Sequence, residues 1–92
     1  MFYVVSYDIT NNRRRSKVSK YLESYGIRVQ YSVFETEINH DQLKKLIKGL
    51  KKIIKKNEDT IRIYPISKES RKFIVTIGRD KGKFYDQDFI II

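Results

Sequence analysis

The segment Phe2-Tyr3-Val4-Val5-Ser6-Tyr7-Asp8-Ile9 constrains this 92-residue chain more than any other. Its side chains are β-branched or aromatic on both faces of an extended strand, so both faces need cover. Such a strand belongs in the middle of a sheet. A chain this short has room for one domain and one modest core, burying about 60–70% of its unfolded surface.

The rest of the pattern supplies the partners. Thr10-Asn11-Asn12 is a helix N-cap cluster. From Arg13 to Tyr25, Val18, Tyr21, Leu22 and Tyr25 recur at three- and four-residue steps, one helical face. Gly26 reads as the C′ residue that closes the helix. Ile27, Val29, Tyr31 and Val33 then alternate with Arg28, Gln30 and Ser32, a strand with one polar face. Phe34 breaks that parity and suggests a bend or bulge. Asn39 and Asp41 cap a second helix with the apolar stripe Leu43, Leu46, Ile47, Leu50, Ile53 and Ile54. Gly49 inside it costs about 1 kcal/mol relative to alanine and so marks a close packing contact. Thr60–Ile66 reads as a third strand, with Pro65 placing it at an edge or a strand end. Lys68 to Lys72 is a turn or one helical turn. Phe73–Gly78 is a fourth strand, residues 79–83 a loop, and Asp88–Ile92 a short fifth strand.

This order fits an α+β, split βαβ plan: ferredoxin-like βαββαβ with an extra C-terminal strand, one domain over residues 1–92. The second strand is one long piece, or two pieces split at Phe34. Two helices cover only one face of a four-stranded sheet, yet the first strand is apolar on both. A homodimer that stacks sheet on sheet resolves the conflict, and the apolar tail points the same way.

Composition narrows the function. The 20 Lys+Arg against 11 Asp+Glu leave a formal charge of +9, which calls for a polyanionic partner. At 40% hydrophobic the chain is too apolar for a disordered basic tail. The absence of cysteine excludes a disulfide scaffold and a thiolate zinc site. The single histidine, His40, excludes a multi-histidine metal centre and counts against a Ser-His-Asp triad. It reads as a surface or capping residue. There is no run of about 18 apolar residues and no signal-peptide pattern, so a soluble cytoplasmic protein with no membrane partner is expected.

Asp8 is the only acidic residue in the first 22 positions. Behind an apolar strand its carboxylate is costly to bury unless paired or metal-bound; otherwise it caps the helix that begins near Thr10. Arg13, Arg14, Arg15 and Lys17 oppose the dipole of the first helix, a cost that bound phosphate offsets. A solvated basic face explains them equally well. Arg28, beside Gln30 and Ser32, reaches a phosphate near Asp8 if the first two strands are neighbours. Tyr7 is a positioning group for a water, Ser32 and Phe34 belong at the site rim or the dimer interface, and Tyr31 belongs in the core. Lys44, Lys45, Lys48, Lys51, Lys52, Lys55 and Lys56 are the wet face of the second helix and add long-range attraction for nucleic acid.

Tyr7-Asp8-Ile9 and Arg28-Val29-Gln30-Tyr31-Ser32-Val33-Phe34-Glu35 resemble the hallmark segments of the CRISPR-associated protein two family, the small partner of the CRISPR integrase. Arg13-Arg14-Arg15, Lys17-Val18 and Gly26 between them fit as well, and length and element order agree over nearly the whole chain. The resemblance implies a ferredoxin-like homodimer acting in spacer acquisition, bridging two integrase dimers and holding the DNA to be inserted. It also implies a metal-dependent endonuclease acting on single-stranded RNA or duplex DNA, with Asp8 as the metal-binding and catalytic aspartate. Two copies of Asp8, one from each protomer, then share one Mg²⁺, which takes oxygen ligands and keeps several waters. Thr10-Asn11-Asn12 stands where many relatives carry further acidic residues, so a second ligand from the same chain is not expected. The alternatives are a non-catalytic nucleic-acid-binding bridge in the integration complex, with Asp8 structural, and a generic ferredoxin-like RNA-binding module that stacks bases on exposed aromatics.

Overall fold

The computed structural model describes residues 1–79 and the backbone of Ile90–Ile91. The elements run β1 (Phe2–Asp8), α1 (Asn12–Glu23), β2 (Ile27–Gln30), β3 (Val33–Glu37), α2 (His40–Ile53), β4 (Thr60–Ile66), α3 (Lys68–Arg71), β5 (Val75–Thr76) and β6 (Ile90–Ile91). β1 to β4 form one antiparallel sheet in the order β2-β3-β1-β4. The α+β class and the central place of β1 are as the sequence implies. β4 is an edge strand, the position where the missing N–H of Pro65 is tolerated. Among the described residues no helix is long and apolar enough to cross a membrane.

Alternation along β1 sorts its side chains. Tyr3, Val5 and Tyr7 enter the core with Val18 and Leu22 of α1, Leu46 and Leu50 of α2, and Phe34 of β3. Phe2, Val4, Ser6 and Asp8 point to the face the helices leave bare. Across from them lie Glu37, Glu35 and Val33 on β3, and Ile66, Tyr64, Arg62 and Thr60 on β4. Asn11 caps α1 by accepting from the Arg14 N–H, and Asn39 and Gln42 close a reciprocal capping box on α2.

Three local expectations are corrected. The break in the second strand falls at Tyr31-Ser32, a tight turn between β2 and β3, and not at Phe34. An irregularity between Arg28 and Gln30 shifts the phase, so that Arg28 pairs with Phe34 on the helix face and Gln30 with Val33 on the other. Phe34 is therefore 1% exposed in the core instead of at a rim, while Tyr31, expected in the core, is 71% exposed at the turn.

Gly26 is not a left-handed cap, since α1 ends through Ser24 in the right-handed region. The position is confined instead by β3: a Cβ there would lie 2.0 Å from the Glu35 carbonyl oxygen.

The segment expected as a fourth strand stays out of the main sheet. α3 leads into β5, which pairs in parallel with β6. The tail strand is thus present at Ile90–Ile91; Asp88, Phe89, Ile92 and loop residues 80–83 lie outside the described residues. A cleft of about 340 Å³ separates Val4, Val33 and Glu35 on the helix-free face from Ile74–Ile77 and Arg79. Phe73 and Ile77 turn outward, 76% and 81% exposed. At the other end of this face Arg71 lies 4.9 Å over the Phe2 ring and 2.9 Å from Glu37, which also binds the Met1 ammonium at 2.6 Å.

Gly49 does mark a close contact: the Tyr21 hydroxyl, which donates to the Lys45 carbonyl at 3.1 Å, occupies the place of its Cβ, 1.9 Å away. Gly26→Ala is expected to destabilise the fold by at least about 2 kcal/mol through overpacking against backbone. Gly49→Ala is expected to be destabilising or neutral, because displacing Tyr21 cancels the propensity gain of about 1 kcal/mol that alanine brings to a helix. Urea unfolding of the two variants checks both; a clear gain from Gly49→Ala would contradict the packing described.

Candidate functional site

Asp8 closes the central strand. Its side chain is exposed, so no burial penalty has to be explained, and Asn11 rather than Asp8 caps α1. The carboxylate has no hydrogen-bond or ion-pair partner among the described residues. On the same face β4 places Thr60 opposite Asp8 and Arg62 opposite Ser6, with the Arg62 guanidinium 5.3 Å over the Tyr64 ring. This gives a free carboxylate and a supported cation on neighbouring strands.

Tyr7 does not join them. Its side chain enters the core on the helix side, the ring 6.3 Å from Phe34 and the hydroxyl donating to the Tyr31 carbonyl at 3.5 Å. Adjacent residues of a strand face opposite ways, so Tyr7 cannot position a water at Asp8. Arg28 is also separated from Asp8, because β3 lies between β1 and β2 and Arg28 faces the helices. Its guanidinium sits 5.6 Å over the Phe34 ring and donates to Ser19 Oγ. Ser32 is half-buried at the turn, where its carbonyl accepts from the Tyr7 N–H at 3.1 Å.

The basic cluster at the start of α1 divides. Arg13 and Lys17 are exposed. Arg14 is committed within the protein: Nε donates to Asp59 Oδ2 at 2.7 Å, and Nη2 to Asp59 Oδ1 at 3.2 Å and to Glu58 at 3.3 Å. A bidentate pair of this kind leaves little of the charge for a ligand, so Arg14 leaves the set of nucleic-acid contacts. The Arg14 hydrogen bond, followed by the Lys55 backbone N–H, holds the Asp59 carboxyl below its ordinary range. Arg15 donates to the carbonyls of Ile9 at 3.0 Å and Thr10 at 3.2 Å and to Asn12 Oδ1, with Tyr31 6.0 Å away. Arg15 and Arg28 meet across a cleft between α1 and the β2–β3 turn. His40 is exposed at the first turn of α2, as expected of a surface residue.

Residues 1–73 match the family model for CRISPR associated protein Cas2. The chain belongs to this family. A CRISPR-associated endoribonuclease Cas2 from Synechocystis is 49% identical over 65 residues, covering 71% of each chain. Streptococcus pyogenes Cas2 superposes with a TM-score of 0.78 at 31% identity, over 85% of this chain and all of that one. A chain of a partial Cas6-RT-Cas1–Cas2 complex superposes with a TM-score of 0.69 at 36% identity, over 77% of this chain and 83% of that one. The Cas2 resemblance carried by Tyr7-Asp8-Ile9 and residues 28–35 is therefore membership.

Sequence reasoning missed Arg62 and Asp59. Both become visible once β4 is paired with β1, since Arg62 then shares a face with Asp8 and Asp59 arrives beside the start of α1. A carboxylate held below its ordinary value of 3.8 stabilises the fold above that pH, and the contribution drains away as pH falls through the depressed folded value. Arg14→Ala is accordingly expected to lower the thermal midpoint at neutral pH by several degrees, with the difference from wild type shrinking as pH falls below about 4. Arg13→Ala is expected to leave the midpoint in place. Thermal melts across this range decide it: equal midpoints for Arg14→Ala and wild type would return Arg14 to the ligand-binding set.

Proposed function

We propose that this protein acts in CRISPR spacer acquisition as a homodimer with metal-dependent endonuclease activity, Asp8 of each protomer lying at the scissile phosphodiester. The carrying observation is the free, exposed Asp8 carboxylate at the end of the central strand, on the sheet face without helices. The relative named as an endoribonuclease supports the chemistry, and the neighbour from a Cas1–Cas2 complex supports an integrase partner. The strand order β2-β3-β1-β4 supports the ferredoxin-like plan. The apolar side chains of Phe73, Val75 and Ile77, exposed beyond the helix-free face, support stacking of two copies.

Among the described residues no three metal-ligating side chains cluster, and Asp8 is the carboxylate that this reading takes from each chain. That is half of the expected donor set, and it fits Mg²⁺, a hard cation that keeps most of its waters and needs one or two carboxylates. Bound between two Asp8 side chains, the ion would supply an acidified water and offset charge at the phosphate. The protein's own share is orientation. Arg62, held against Tyr64, is the cation opposite Ser6 on the strand beside Asp8, so it grips the phosphate there in place of Arg28. Arg13 and Lys17 draw the strand toward α1. The substrate is single-stranded RNA or duplex DNA.

A second reading has its own observation. Among the described residues no chain offers three ligating side chains together, so a modest displacement of the two Asp8 carboxylates would leave a bridge that holds DNA and does not cut it. Labelled RNA and duplex DNA, incubated with Mg²⁺ or chelator, separate the two. Asp8→Ala is expected to lower Mg²⁺-dependent cleavage at least ~100-fold while duplex binding persists. A variant that cleaves as well as wild type removes Asp8 from the chemistry. No cleavage by either protein, with salt-sensitive duplex binding retained, establishes the bridge.

A further inference from the structure

The cleft between α1 and the β2–β3 turn measures about 360 Å³ and lies on the sheet face opposite Asp8. We propose that it is a second nucleic-acid site, which takes an unpaired stretch of RNA or DNA by one phosphate and one base. The proposal deepens the nucleic-acid-binding part of the reading above and rests on it only for the class of ligand; it needs neither metal nor dimer.

Arg15 and Arg28 both face the cleft, and both are held in place by neutral groups: backbone carbonyls and Asn12 for Arg15, Ser19 and the Phe34 ring for Arg28. Arg14, one residue away from Arg15, shows the contrast, since its charge is spent on Asp59. Two guanidinium groups with fixed orientation, unspent charge and spare N–H donors are what a phosphate needs. Lys20 adds a third cation at the cleft, and among the described residues Glu23 is the only carboxylate lining it. The Ser16 hydroxyl supplies a further donor.

The second half of the site is Tyr31. A tyrosine 71% exposed at a tight turn contributes little to the core. It stands at the cleft with Arg15 beside its ring, leaving an aromatic surface on which a base can stack. The volume is within the range of small-ligand pockets and suits one nucleotide. In a duplex the base faces are already stacked on one another, so Tyr31 gains only from an unpaired base. Charge alone would not choose between the two forms of nucleic acid; the aromatic lip does.

The test is fluorescence anisotropy in chelator, which removes cleavage and leaves the Asp8 question outside the measurement. The probes are a short labelled RNA, its DNA counterpart and the matching DNA duplex. Tyr31 and Lys20 are exposed, so their variants keep the fold, which circular dichroism melts verify. Tyr31→Ala is expected to bind single strands about tenfold more weakly and the duplex unchanged. Tyr31→Phe, which keeps the ring, is expected to bind like wild type. Lys20→Ala is expected to reduce the salt slope of single-strand binding by about 1. A loss confined to RNA, or shared by RNA and DNA, supports the site and names its strand. Unchanged single-strand binding by Tyr31→Ala, or equal losses on strand and duplex, overturns it.

Discussion

Everything in this molecule follows from a central strand that has to be covered on both sides. β1 pairs with β3 and β4 along its length, and its odd residues are sealed by α1 and α2. The even residues are left to whatever the rest of the chain, or a second chain, can bring. Because side chains alternate with a fixed period of two, Tyr7 and Asp8 are placed in unlike environments, one packed in the core and the other in water. No adjustment of loops can bring them to one site without breaking the pairing of β1. The separation of Arg28 from Asp8 has the same origin, with β3 inserted between their strands.

The basic surface is decided residue by residue by what stands opposite each charge. Arg14 meets Asp59 and Glu58 and becomes part of the scaffold, tying α1 to the start of β4. Arg15 and Arg28 meet carbonyls, hydroxyls and rings, so they are oriented without being neutralised. Arg13 and Lys17 meet solvent. Just beyond α2, Lys55 pairs with Glu58 at 3.0 Å, while Lys44, Lys48 and Lys52 on the helix, spaced one turn apart, have no carboxylate partner among the described residues. Like charges at that spacing oppose the helix by a few tenths of a kcal/mol per pair, a cost that an anionic partner relieves. The excess of cations seen in the composition is thus a set of distinct roles, of which only some concern a ligand.

Periodicity made most of the elements legible: the apolar stripe of α2, the N-cap asparagines and the edge position of the strand with Pro65 all stand where the residues imply. The β2–β3 region resisted, because the irregularity after Arg28 and the turn at Tyr31-Ser32 both shift the alternation, and a shift of one residue exchanges inside for outside. Phe34 and Tyr31 changed places for that reason alone. Gly26 was recognisable as necessary, although the reason is crowding by Glu35 and not a left-handed turn. The Arg14–Asp59 pair spans 45 positions and depends on strand order, which no local pattern carries. The family segments were legible because Tyr7-Asp8-Ile9 and residues 28–35 carry the resemblance, but membership does not say which face each side chain takes.

The two faces of the sheet therefore divide the proposed work. Stacking two copies through the helix-free face would bring two Asp8 carboxylates toward each other, and like charges at close range repel. A divalent ion between them would offset that repulsion, so the proposed dimer and the proposed metal support each other physically and are not two separate assumptions. Arg62, on the neighbouring strand of the same face, eases the repulsion further. The cleft of Arg15, Arg28 and Tyr31 lies on the opposite side and would remain open in such a dimer. A strand held there would be held at a distance from the paired carboxylates, and binding on one face need not compete with chemistry on the other.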